Sequence, residues 1–138
     1  MTTYAKPLPV PDPDTAPFWE ACARHELMGQ RCTQCGRFRW PPRALCPACH
    51  SWSSEWVKLS GTGVIVSWVR VHHVTLKAFA EDAPYPVIEV EMDGTDRDVK
   101  LTSTLIDASP EQLQVGLRVR VAFDDVTPDV TLPKFCPA

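Results

Sequence analysis

No apolar run in this 138-residue chain approaches the ~20 residues of a membrane-spanning helix. The opening MTTYAKPLPV also lacks the basic-then-apolar order of a secretory leader. These two absences predict a cytoplasmic chain that makes no membrane contact. Positive charge is short as well: 14 Lys and Arg stand against 17 Asp and Glu, a formal net charge of -3. Proteins whose main affinity is for phosphate backbones are usually basic, so nucleic acid is an unfavoured partner. There is no Gly-x-Ser-x-Gly elbow, phosphate loop, dinucleotide fingerprint or internal repeat. Glu89 and Glu91 alternate along one strand and read as its solvated side rather than an acid-base couple. His72 and His73 are adjacent, so on a strand they point to opposite faces and share no site. The chain offers no self-sufficient active site and is expected not to be catalytic alone.

What is present describes an ordinary globular protein, 44% hydrophobic and 22% charged, of a size for one domain or two very small modules. Residues 1–14 read as a proline-rich arm, because KPLPVPDPD carries proline at 7, 9, 11 and 13 and so favours an extended, donor-poor backbone. A helix then follows a cap at Asp14 or Thr15, with Pro17 in its first turn, an apolar stripe of Phe18, Trp19, Cys22 and Leu27, and Gly29 as its stop. Cys22, on that stripe, is expected to be a buried thiol, and Cys136 is too isolated for a nucleophile.

From Trp56 onward the period changes from helical to alternating. Residues 57–138 predict five strands. The first is long, VKLSGTGVIVSWVRVHHV, with Gly61 and Gly63 where a strongly bent strand needs a bulge or close approach. PVIEVEMD places Ile88, Val90 and Met92 inward and turns through Gly94, Thr95 and Asp96 into RDVKLTSTLI. SPEQL makes a short helical link to LRVRVAFD, with Leu117, Val119, Val121 and Phe123 inward, and VTLPKF closes the set. One coiled strand, a hairpin, a link and two more strands fit a five-stranded OB-type barrel better than a sandwich of about seven.

Between helix and barrel, within residues 15–56, Cys32 and Cys35 are separated from Cys46 and Cys49 by ten residues. Two Cys-x-x-Cys knuckles can close around one tetrahedral ion. In a reducing compartment such thiols read as ligands for one zinc per chain, with iron or an iron-sulfur centre and redox disulfides as alternatives. Four thiolates close the coordination sphere, which makes the metal structural rather than catalytic. His50 reads as a solvated loop residue.

Two surfaces remain. GRFRWPPRAL, between the cysteine pairs, crowds Arg31, Arg37, Arg39 and Arg43 around Phe38 and Trp40. It is either a solvated ribbon tip or a patch for a phosphate-bearing ligand or acidic partner. TLKAFAEDAPYP, a long connection carrying Leu76, Phe79 and Tyr85, either contacts a partner or folds back on the barrel.

In order along nearly the whole chain, FWEAC, QRCTQCGRFRWPPRALCPAC, SEWVKLSGTGVIVSW, PYPVIEVEM, LQVGLRVRVAF and LPKFCP resemble the small zinc-ribbon/OB-fold family known as domain of unknown function thirty-five. The resemblance implies a mainly β chain: an N-terminal helical segment, a rubredoxin-like zinc ribbon and an OB barrel associated with acyl-CoA metabolism. Cys32, Cys35, Cys46 and Cys49 match that family's metal ligands, and Arg43 falls in its Pro-Pro-Arg position. It further implies a thiolase-like partner of the lipid-transfer-protein type, as a heterotetramer if that partner is dimeric. The partner would supply the catalytic groups while the small subunit supports assembly and helps enclose an acyl-CoA substrate, in aldol cleavage, acyl transfer or condensation. A nucleic-acid-binding OB protein and a stand-alone CoA-ester enzyme are the alternatives.

Overall fold

The computed structural model describes residues 4–138, so the first three positions of the expected arm lie outside the described residues. From Tyr4 to Pro11 the arm runs without regular structure and is pinned by an ion pair of Lys6 Nζ with Asp82, at 2.5 Å. The chain continues through α1 (Ala16–Ala23), then β1 (Met28–Cys32), β2 (Phe38–Arg39) and β3 (Ser54–Lys58). These three strands form one antiparallel sheet, ordered β2-β1-β3. A second sheet is built from β4 (Thr62–Val71), β5 (Tyr85–Met92), β6 (Lys100–Ser103), β7 (Arg118–Asp125) and β8 (Thr131–Pro137). Its order is β6-β5-β4-β7-β8, with every neighbour antiparallel. The sheet curls until its edges meet at a parallel bridge between Leu105 and Phe135. This is the curled five-stranded sheet of an OB-fold, as the alternation predicts.

The helix starts as expected, with Thr15 at the N-cap and Pro17 in its first turn, but stops elsewhere. Asp12 braces that cap residue: its carboxylate accepts from the Thr15 N–H at 2.8 Å, and its N–H donates to Thr15 Oγ1. The stop is His25 rather than Gly29. His25 is left-handed, at φ 59, and the N–H groups of His25 and Glu26 reach back to the carbonyls of Cys22 and Ala21, closing the last turn as a glycine usually does. A tertiary contact makes a histidine serve there. Its ring stacks on Phe123 with centroids 5.2 Å apart, and Nε2 lies 2.9 Å from Asp125 Oδ1. Gly29 sits inside β1 instead.

The long strand expected over 57–74 is two strands in different sheets. Val57 and Lys58 end β3 and pair with Gly29 and Met28 of β1. The break falls at residues 59–61, where Gly61 adopts φ +81. His72 and His73 lie past the end of β4 and are exposed. Gly63 answers the need for close approach, since a Cβ there would stand 2.5 Å from the Glu91 carbonyl oxygen. The bulge itself falls between Ile65 and Ser67. These features bend β4 enough to pair with β5 along its length and with β7 at its start.

One continuous core joins the two parts. Ile65, Ile88, Val90, Met92, Leu101, Val119 and Phe135 fill the barrel, and Phe18, Cys22 and Leu27 extend the same cluster beneath α1. Each fully buried aliphatic or aromatic side chain of this kind contributes about 1.5–3 kcal/mol. Burial pushes the Cys22 thiol up to about 12, so it stays a neutral, inert packing group.

Asp93, just past β5, ties three strands together at one end of the barrel. Both its oxygens accept from the Arg118 guanidinium of β7, and one also accepts from Thr62 Oγ1 of β4 at 2.6 Å. The Arg118 hydrogen bonds, with that from Thr62, hold the carboxyl down to about 2, below its ordinary 3.8. A depressed carboxyl stabilises the fold above its unfolded value and ceases to do so as pH falls through the folded one. Asp93→Asn is therefore expected to lower the melting temperature at pH 6. The gap to the unmodified protein should close between pH 4 and pH 2, in paired thermal melts that cancel effects common to both chains. A gap that stayed constant over that window would remove Asp93 from the acid response.

Candidate metal centre and its flanking surfaces

The two knuckles are built alike. Gly36 N–H donates to Cys32 O and Cys32 N–H to Arg37 O; His50 N–H donates to Cys46 O and Cys46 N–H to Ser51 O, all within 3.0 Å. The residue after the second cysteine of each pair is left-handed: Gly36 at φ 77 and His50 at φ 63. His50 thus turns the chain, and it is exposed, as expected.

This geometry gathers four sulfurs that lie within 4.8 Å of one another. Cys32 Sγ and Cys49 Sγ are 3.6 Å apart, as are Cys35 Sγ and Cys46 Sγ. A disulfide needs about 2.05 Å, whereas a tetrahedral ion with ~2.3 Å metal-sulfur bonds has sulfur-sulfur edges of about 3.8 Å. The four thiols therefore fit a tetrahedral metal. Their electrostatics agree. The Cys35 N–H lowers Cys32, and the N–H groups of Cys49 and Ala48 bring Cys46 down to about 6. At Cys49 the Ser51 N–H favours the thiolate, but burial and the three neighbouring sulfurs outweigh it and push the group up to about 11. Backbone donors prepare part of the cluster as thiolates, and complete ionisation needs a cation in its centre.

The arginines between the knuckles do not form one free patch. Arg31 pairs with Glu55 at 2.5 Å. Arg37 makes a two-pronged contact with Asp98, at 2.7 and 3.2 Å, tying the first knuckle to the β5–β6 turn. Arg39 is only 2% exposed: it faces into the ribbon beside Gln30, its cross-strand neighbour, and donates to Ala44 O at 3.3 Å. Its expected place on a ligand or partner surface is thus corrected, because strand pairing turns it inward. Of these four arginines only Arg43 keeps an exposed side chain with no ion pair among the described residues. Its backbone N–H is held by Gln30 Oε1 at 2.9 Å.

Trp40 and Phe79, predicted on separate surfaces, line one groove. Trp40 packs edge-on against Phe18, with centroids 4.8 Å apart. Phe79 stacks on Tyr85 at 5.7 Å, so much of the long loop folds back on its own barrel, though Leu76 stays 51% exposed. Trp19, on the helix stripe by its spacing, also stands in the groove wall, and no spacing rule brings it beside Phe79. Trp52, next to the second knuckle, is 74% exposed, and the sequence pattern did not single it out.

Two family models match this architecture: the ChsH2 rubredoxin-like zinc ribbon domain over residues 19–53, and the ChsH2 C-terminal OB-fold domain over residues 56–124. A Thermomonospora curvata protein named "Probable enoyl-CoA hydratase alpha subunit" is 34% identical over 134 residues. That match takes in 96% of this chain but only 40% of the relative's length. A Methanocaldococcus jannaschii "DUF35 domain-containing scaffold protein" is 33% identical over 107 residues, covering 77% of this chain and 73% of the relative. Among solved structures, one titled "Ltp2-ChsH2(DUF35) aldolase" superposes with a TM-score of 0.82 at 32% identity, over 94% of this chain and 98% of that one. With both modules matched in order and the metal-ligand geometry in place, this chain belongs to the DUF35 family of ChsH2-type zinc-ribbon/OB-fold proteins.

Proposed function

We propose that this chain is a non-catalytic subunit of a thiolase-like enzyme of the lipid-transfer-protein type. It would act in the cytoplasm on an acyl-CoA, in aldol cleavage during sterol or fatty-acyl side-chain breakdown. The observation that carries this reading is its likeness, over nearly the whole of both chains, to a chain of the structure titled "Ltp2-ChsH2(DUF35) aldolase". Support comes also from the chemistry of the chain itself. Its one cluster of metal-binding type among the described residues is made of four cysteines, a set that leaves no position for water or substrate. The metal is one structural zinc. The arm (1–14), the helix and ribbon (15–56) and the barrel (57–138) then serve assembly.

Trp52, Leu45 and Arg43 are exposed on the ribbon and Leu76 on the long loop. Exposed tryptophan and arginine are the side chains most enriched where interfaces concentrate their affinity, so we place the partner on these two surfaces. No helix among the described residues is long and apolar enough to cross a bilayer. Hydration, which the Thermomonospora curvata name mentions, stays with that longer protein.

Co-expression with the thiolase-like protein encoded nearest to it is expected to yield a heterotetramer of two chains of each kind by light scattering. Acyl-CoA thioester cleavage should require both chains, and Trp52→Ala should weaken assembly at least about tenfold. Turnover by the small chain alone, or failure to co-purify with any such neighbour, would refute the proposal. A gel shift with single-stranded oligonucleotides that persists at moderate salt would favour the nucleic-acid alternative.

A further inference from the structure

Where arm, helix, ribbon and barrel meet, the chain leaves a groove of about 850 Å³. Six aromatic residues from the arm, the helix, the ribbon and the barrel half line it: Tyr4, Phe18, Trp19, Trp40, Phe79 and Tyr85. Six prolines complete much of the rest of the wall, and a proline offers no N–H. Two hydroxyl groups in the wall are spent on the wall itself. Ser103 Oγ donates to Pro133 O at 2.6 Å, and Thr104 Oγ1 donates to Pro86 O at 2.7 Å. The cations are committed too. Lys6 is paired with Asp82 at 2.5 Å, and Lys134 with Asp124 at 2.6 Å.

This donor and charge inventory selects an occupant. A nucleotide or other phosphate would need free cations, and both lysines already have carboxylate partners. A peptide would bring an amide and a carbonyl with nearly every residue, and six prolines in the wall offer no N–H to its carbonyls. A neutral molecule with a large apolar body has neither difficulty and gains from the aromatic faces. The volume lies within the ~300–1,000 Å³ of sites that enclose a small organic ligand.

We propose that this groove is a binding site for a neutral, largely apolar small molecule, over which the arm is strapped. The strap is the Lys6–Asp82 pair together with the Lys6 ammonium, 5.3 Å from the centre of the Phe79 ring. All of these walls come from this one chain.

The test uses the full 138-residue chain saturated with zinc and titrated with Nile red, a neutral dye whose emission shifts to the blue in apolar sites. Binding of one dye per chain with a blue shift is expected. Phe79→Ala, in a loop outside the core, should weaken it about fivefold or more. Trp19→Ala should do the same in chains that retain one zinc and an unchanged circular dichroism spectrum. Trp68→Ala removes a half-exposed aromatic outside the groove and should change the affinity by less than about twofold. The proposal is overturned by non-saturable binding, by affinity unchanged in both groove variants, or by loss in Trp68→Ala alone. Displacement of the dye by a decaproline peptide at micromolar concentration would assign the groove to a protein segment and overturn it equally. Because no partner is present in these titrations, their failure would leave the subunit proposal untouched, and the failure of that proposal would leave this one standing.

Discussion

Cys46→Ser is expected to abolish metal binding and unfold the ribbon, the largest effect any single substitution in this chain should have. The reason lies in what the ribbon buries. Away from its junction with the barrel, its buried residues are Gln30, Cys32, Arg39, Pro42 and Cys46, all but the proline polar or sulfur-bearing. β2 is two residues long. Apolar burial on that scale cannot offset the conformational entropy of ordering three strands and two knuckles, which costs about 1–2 kcal/mol per residue. Binding of a structural zinc by four thiolates contributes about 10–16 kcal/mol near neutral pH, enough to make folding of this segment conditional on the ion. Elemental analysis should find one zinc per unmodified chain and essentially none in Cys46→Ser. Hydrogen exchange should then show fast amides across 28–58 in the variant, and in the unmodified protein after chelation. A metal-free chain with a protected ribbon would contradict the assignment. A coloured preparation absorbing in the visible would assign the site to iron, since zinc is a closed-shell ion.

The second large effect is expected at Phe135. Its side chain is fully buried at the centre of β8, and its backbone closes the barrel: the N–H donates to Thr104 O and the carbonyl accepts from Ile106 N–H at 2.8 Å. Phe135→Ala leaves the backbone contacts possible and removes the ring that fills the space between them. Truncation of a buried phenylalanine costs about 3–5 kcal/mol. That is a large part of the ~5–15 kcal/mol typical of a domain. Urea unfolding at saturating zinc should shift to a much lower midpoint. Val115→Ala, at a residue 63% exposed, should stay within about 0.5 kcal/mol. A shift at Phe135 no larger than that of Val115 would mean that the barrel is not closed by this residue.

Elements whose cause is local were legible before any coordinates. Ile88, Val90 and Met92 alternate with Glu89 and Glu91 because a strand with one buried face admits no other register, and all three apolar residues are buried. The knuckles were legible for a similar reason: two residues between thiols place both sulfurs of a pair on one side of a tight turn. Cys22 was read as a packing thiol from its place on the helix stripe, and it is completely buried. What misled the reading was also specific. Gly29 is a strong local stop signal, yet the chain stops the helix four residues earlier at His25, whose contacts with Phe123 and Asp125 come from a strand about a hundred residues away.

The sequence by itself therefore determined the mainly β class, the strand faces and the four-cysteine cluster, because periodicity and ligand spacing act over a few residues. Only the tertiary structure decided which arginines are free and where a groove opens. Arg37 meets Asp98, 61 positions along the chain, and strand pairing turns Arg39 inward. The groove takes its walls from segments that no spacing rule connects. Those outcomes depend on how two sheets and a helix are brought against one core, and a pairing between distant side chains leaves no periodic trace in the chain.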